Sequence, residues 1–140
     1  MSAEGWYERE RLHFAAQDGD LTAVARLIDE GHDINAFDDL GKTALHWAAK
    51  NEHLDVAAFL IEHGADVNAR HVQTNSDTAL GEVAGHCSIE MARLLVEAGA
   101  DPAIRGWMNL NALDRAKKRK RGDGPQVYAL LMEATRRRGR

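Results

Sequence analysis

A segment of this chain comes back every 33 residues. Leu12-His13-Phe14-Ala15-Ala16 returns as Leu45-His46-Trp47-Ala48-Ala49, and Gly31-His32-Asp33-Ile34-Asn35-Ala36 as Gly64-Ala65-Asp66-Val67-Asn68-Ala69. A third copy, with Asp77-Thr78-Ala79-Leu80 and Gly99-Ala100-Asp101-Pro102-Ala103, lies 35 residues beyond the second, so two residues are inserted near 71–77. A fourth, worn copy reads Asn111-Ala112-Leu113-Asp114-Arg115-Ala116-Lys117. A period of this size means that one small unit is built repeatedly. No single unit can bury its apolar side alone, so the units must stack on their neighbours.

The pattern within a unit predicts two helices. After Thr43, small and apolar residues fall at 44, 45, 48 and 49, a helical stripe, and the Thr43 hydroxyl suits the N-cap. Leu54, Val56, Ala57, Leu60 and Ile61 mark a second helix, and Gly64 follows where a left-handed closing residue is expected. The stripes place Leu45, Leu60, Leu80 and Leu95 in the core. The inserted stretch 71–77 should protrude and be more mobile than its counterpart at 38–42.

These motifs resemble the ankyrin repeat. Gly41-Lys42-Thr43-Ala44-Leu45-His46-Trp47-Ala48-Ala49 is similar to the family's G-x-T-P-L-H-x-A-A, with Ala44 in place of proline, and Gly64-Ala65-Asp66-Val67-Asn68-Ala69 resembles its closing phrase. The resemblance covers roughly residues 8–135. It implies an all-α fold, an α-solenoid of stacked helix-turn-helix pairs with connecting β-turn or hairpin loops. The expected division is a single domain over 1–140, with repeats near 8–37, 38–70, 71–105 and 106–135 and a basic tail at 136–140. The first and last repeats should act as caps. Trp6 and Tyr7 are expected to cover the exposed end of repeat one.

Charge is unevenly spread. Residues 1–114 carry 8 Lys/Arg and 20 Asp/Glu, while residues 115–140 carry 10 and 2, so an acidic body has a basic end. No run of 18 apolar residues suggests a spanning helix, and the polar N-terminus shows no signal stretch. A cytoplasmic monomer is expected, with no membrane role.

Enzyme chemistry finds little support. Ser2, Ser76 and Ser88 lie in no G-x-S-x-G, and neither a phosphate loop nor a dinucleotide fingerprint occurs. No histidine pair shows H-E-x-x-H spacing. The resemblance implies that His13 and His46 bond the repeat's backbone and threonine. His32 and His63 sit at second-helix ends, where a cation complements the helix dipole. Cys87, the only cysteine, is read as a plain free thiol, oxidisable if exposed. No catalytic residue, cofactor or metal is expected.

Binding is the remaining class. By the resemblance, partners meet the turn tips and the open face of the first helices. The candidates are Phe37, Asp39, Leu40, Lys42, Trp47, Lys50, Asn51, Trp107, Met108 and Leu110. An unidentified protein partner is expected. The alternative is weak binding of nucleic acid or another polyanion through Arg115, Lys117, Lys118, Arg119, Lys120 and Arg121, read as an exposed loop near Arg136–Arg138. An inhibitor or immunity-type regulator would look the same in sequence.

Overall fold

The computed structural model describes the backbone of residues 4–139 and the side chains of residues 7–139. Nine α-helices and no strand are found among them: α1 (Glu4–Arg9), α2 (Arg11–Asp18), α3 (Leu21–Asp29), α4 (Ala44–Lys50), α5 (Leu54–Glu62), α6 (Ala79–Val83), α7 (Ile89–Glu97), α8 (Ala112–Lys117) and α9 (Gly124–Arg138). The pairs α2/α3, α4/α5, α6/α7 and α8/α9 are the four predicted units. The first helices stack in one layer, α2 on α4 on α6 on α8, and the second helices in another, α3 on α5 on α7 on α9.

Small side chains allow this stacking. Ala16, Ala44, Ala48, Ala49, Ala84 and Ala116 have essentially no exposed surface. Leu45, Leu60, Leu80 and Leu95 are buried as expected. Each removes most of its side chain from water, a gain of about 1.5–3 kcal/mol per residue.

The helix starts follow local chemistry. Asp20, Thr78, Ser88 and Asn111 each accept a first-turn backbone N–H. At α4 the Thr43 N–H donates to His46 Nδ1 at 3.0 Å, and the Thr43 hydroxyl lies 2.8 Å from the same nitrogen. His46 Nε2 then donates to the Asp77 carbonyl of the next repeat at 2.7 Å. Repeat four has Asp114 in place of this histidine, yet the capping survives: Asn111 N–H donates to Asp114 Oδ2 and Asp114 N–H to Asn111 Oδ1.

Repeat one breaks the pattern. Glu10 stands where Thr43 stands a repeat later, and its N–H is spent on the Tyr7 carbonyl at the end of α1. His13 Nε2 still reaches the Ala36 carbonyl at 2.8 Å. His13 Nδ1 is buried and has no hydrogen-bond partner. Tyr7 stacks on Phe14, with ring centroids 5.6 Å apart. The side chain of Trp6 lies outside the described residues.

Asparagines lace the outer edge. Asn35 Nδ2 donates to the Gly64 carbonyl and Asn35 Oδ1 accepts the Asp66 N–H. Asn68 does the same to Gly99 and Asp101. Ala103 occupies the next place and cannot continue. Arg138 takes over, donating to the Gly99 carbonyl at 3.2 Å and pairing with Asp101 at 3.5 Å. Arg136, Arg137 and Arg138 therefore belong to α9 itself; Arg140 lies outside the described residues.

The inserted stretch folds into a 3-10 turn, Val72–Thr74. His71 N–H donates to Ser76 Oγ at 2.7 Å and Arg70 Nε to the Ser76 carbonyl at 3.0 Å, which closes its base. Val72 stands out at the tip, 71% exposed.

Candidate interaction surface

Each helix pair is joined to the next by a projecting finger: residues 30–43, 63–78 and 98–111. In the first, Asp38 builds the turn. Its Oδ1 accepts the N–H groups of Leu40 and Lys42, and its Oδ2 accepts Trp47 Nε1–H at 2.7 Å. Gly41 has φ +74°, and a Cβ there would run into Thr74 and His71 of the second finger. Phe37 meets the His71 ring edge-on at 5.0 Å. The third finger carries the 3-10 turn Trp107–Asn109, where Met108 and Asn109 both have positive φ. Arg105 holds that turn through the Asn109 carbonyl at 2.8 Å.

Among the predicted contact residues, Phe37, Asp39, Leu40, Lys50, Asn51, Trp107 and Met108 are exposed. Leu110 is half-buried at the base of its finger. Lys42 and Trp47 are half-buried and already engaged. Lys42 Nζ pairs with Glu82 at 2.7 Å and lies 4.7 Å from the centre of the Trp47 ring, with Lys50 Nζ at 5.2 Å. Asn51 donates from its amide to the Trp47 carbonyl, closing α4.

The face of the first helices carries Phe14, Trp47, Glu82 and Arg115 at equivalent places. Arg115 corrects the expectation of an exposed cationic loop. It lies in α8, pairs with Asp77 at 2.6 Å and donates to the carbonyls of Gly81 and Trp107. Arg119 is likewise half-buried and donates to the Ala84 carbonyl. Lys117, Lys118, Lys120 and Arg121 remain exposed. They are not near Arg136–Arg138, because the 15 residues of α9 separate the two clusters by about 20 Å at 1.5 Å per residue.

Among the described residues, two titratable groups are shifted. Burial lowers the His46 pKa, only partly offset by its bond to the Asp77 carbonyl and the charge of Glu82. The ring is a neutral structural link. Burial pushes the Cys87 thiol up to about 11, against a smaller lowering by Arg119. Cys87 is 1% exposed, so the structure removes the exposure its oxidation would need. No cluster of three or more metal-ligating side chains occurs among the described residues. None of the described helices is long and apolar enough to cross a membrane.

Sequence reading missed Asp38 and Asp77, carboxylates that hold fingers to helices. It also missed the asparagine lacing, although Asn35 and Asn68 sit 33 residues apart.

Repeated helix pairs, projecting fingers and buried framework histidines define a class, and comparison with known families agrees. The family described as ankyrin repeats in three copies matches residues 12–106. The chain belongs to the ankyrin-repeat family. Ankyrin repeats generally mediate protein–protein interaction, and the family is typically non-enzymatic. A search of curated proteins returns no match.

Proposed function

We propose that this chain is a non-enzymatic interaction module that engages a partner protein through its fingers and the adjoining face of its first helices. One observation carries this reading. Of the eight large apolar side chains left exposed among the described residues, five, Phe37, Leu40, Val72, Trp107 and Met108, stand on the fingers, and Tyr7, Leu54 and Met132 lie on helices. Every finger therefore offers an apolar anchor, on a framework fixed by side-chain bonds. A preformed surface loses little conformational entropy on binding, and exposed aromatic anchors are the usual energetic centres of interfaces. The test is a binding titration with a partner isolated by cross-linking. Trp107→Ala and Leu40→Ala should each weaken it by roughly 10-fold or more, about 1.4 kcal/mol, with the melting temperature unchanged. Full affinity in both variants would reject the reading.

Weak polyanion binding is the second reading, and it rests on the four exposed cations Lys117, Lys118, Lys120 and Arg121. It is the weaker one, because Arg115 and Arg119 are engaged elsewhere.

A further inference from the structure

The turns that join the two helices of each repeat, 19–20, 51–53, 84–88 and 118–123, form an edge at the far end of the first helices from the fingers. They are laced to one another. His53 Nε2–H donates to the Gln17 carbonyl at 2.9 Å. Glu52 accepts the Ser88 N–H at 3.1 Å and the Ser88 hydroxyl at 2.6 Å. Asp123 Oδ2 accepts the Ile89 N–H at 2.8 Å. Four turns thereby become one fixed surface.

Charge on that surface changes sign from end to end. Asp18 and Asp20 stand exposed at the first turn. In the middle, the Glu52 carboxylate is spent on Ser88. Lys117, Lys118, Lys120 and Arg121 stand exposed at the last turn, and among the described residues none of these four forms an ion pair. Neighbouring helices in a stack lie about 8–10 Å apart. Acidic and basic ends are thus separated by several Debye lengths of about 8 Å, and they cannot neutralise each other within one copy.

An apolar row runs between the ends. Leu21, Leu54 and Ile89 are the first residues of α3, α5 and α7, and Pro125 is the second of α9. Leu54 is 39% exposed and lies on no finger. Beside Ile89 opens a groove of about 470 Å³, lined by Ile89, Arg93, Gln126, Ala129 and Leu130.

We propose that two copies of this chain pair along this edge in antiparallel order. A two-fold axis between the second and third turns lays the acidic end of each copy on the basic end of the other. The same rotation sets Leu54 of each copy opposite Ile89 and its groove in the other. A two-fold interface requires one patch to be complementary to itself, and here the charges and the apolar residues satisfy one rotation together. The result has an apolar middle and a charged rim, the usual anatomy of an interface. The chain is then a weak dimer, in place of the monomer expected from its sequence. Its fingers remain free on the opposite side, so the pairing does not depend on the finger reading. It does compete with polyanions for the same four cations.

The test is sedimentation equilibrium of the full chain at concentrations up to about 1 mM. At about 50 mM salt a reversible dimer should form with a Kd on the order of 100 μM. At about 500 mM salt it should weaken at least ~10-fold. Leu54→Ser should weaken it by a similar factor at low salt. Two charge variants decide the geometry. One carries Gln17→Lys, Asp18→Lys and Asp20→Asn, the asparagine keeping the cap that Asp20 gives α3. The other carries Lys117→Glu, Lys118→Glu, Lys120→Glu and Arg121→Glu. Each alone has two ends of like sign and should be monomeric, whereas an equimolar mixture should form the dimer again. Recovery in the mixture also shows that both variants are folded, and circular dichroism checks each separately. A monomer throughout at low salt, a dimer indifferent to salt or to either charge variant, or a mixture of folded variants that stays monomeric would overturn the proposal. So would open-ended growth beyond a dimer, which a closed two-fold contact forbids.

Discussion

Lys42 Nζ and Glu82 Oε1 meet at 2.7 Å across the boundary between the second and third repeats. One repeat later Asp77 and Arg115 meet at 2.6 Å in the equivalent place with the signs exchanged. Slipping the stack by one repeat would set Lys42 against Arg115, cation on cation. The alternation thus specifies the order of stacking, which similar apolar faces alone would leave degenerate. All four side chains are four-fifths or more buried.

Lys42→Glu alone should destabilise the chain by about 1–3 kcal/mol, between the values for exposed and fully buried pairs. Adding Glu82→Lys should recover most of the loss. Denaturant unfolding of the two single variants and the double variant measures the coupling. Strict additivity would show that the pair has no role in stacking.

Trp47 is a packing residue as much as a surface one. Its Nε1–H holds Asp38, and Asp38 holds the finger turn. Trp47→Ala should therefore lower stability by about 1–3 kcal/mol, less than the 3–5 typical of fully buried tryptophan. Trp107→Ala, at a 57% exposed site, should change it by less than about 0.5 kcal/mol. Thermal unfolding of both variants checks the contrast, and equal shifts would contradict the placement of the two rings.

Protonation should oppose folding through His46. Its folded pKa is depressed, so the unfolded chain takes up the proton first as pH falls below the ordinary histidine value of about 6.5. The stability due to this group is complete above that value and is lost as pH falls toward the folded pKa. Imidazole NMR across this range should show His46 still neutral below that value. Titration of His46 at or above that value would show that the ring is not desolvated.

Cys87 should resist alkylation in the folded chain. Its thiol is buried and its pKa stands at about 11, so almost no thiolate is presented at neutral pH. The rate of modification by iodoacetamide should rise sharply at the unfolding transition. Rapid labelling of the native chain would mean that the α6–α7 turn opens locally.

Any affinity for polyanions should be weak. Random duplex DNA at about 50 mM salt should bind no tighter than micromolar. Replacing Lys117, Lys118, Lys120 and Arg121 with glutamine should remove that binding, whereas Arg115→Gln should chiefly cost stability. Polarisation titrations separate the two, and unchanged binding by the neutralised loop would dismiss the second reading.

Sequence by itself determined the units. The lag of 33, the alanine and leucine stripes, the threonine and serine caps and the closing glycines are local, because a helix start, stop and apolar face need only neighbours along the chain. Gly31, Gly64 and Gly99 all take positive φ. The finger tips Leu40, Trp107 and Met108 were readable for the same reason, as bulky residues outside the apolar stripes. What each charge and polar atom does was decided only in three dimensions. Arg115 looked like part of a cationic run, because in sequence it adjoins Lys117 and Lys118. Its partner, Asp77, lies 38 residues away. Cys87 fell in a turn, and only the stacking of neighbouring repeats buried it. His13 and His46 occupy the same place in the repeat, yet one is satisfied and the other is not. The difference arises where α1 meets α2, because the Glu10 N–H is consumed there. Apolar periodicity is written along the chain. The pairing of polar groups depends on which repeat lies against which, and that is set by the stack.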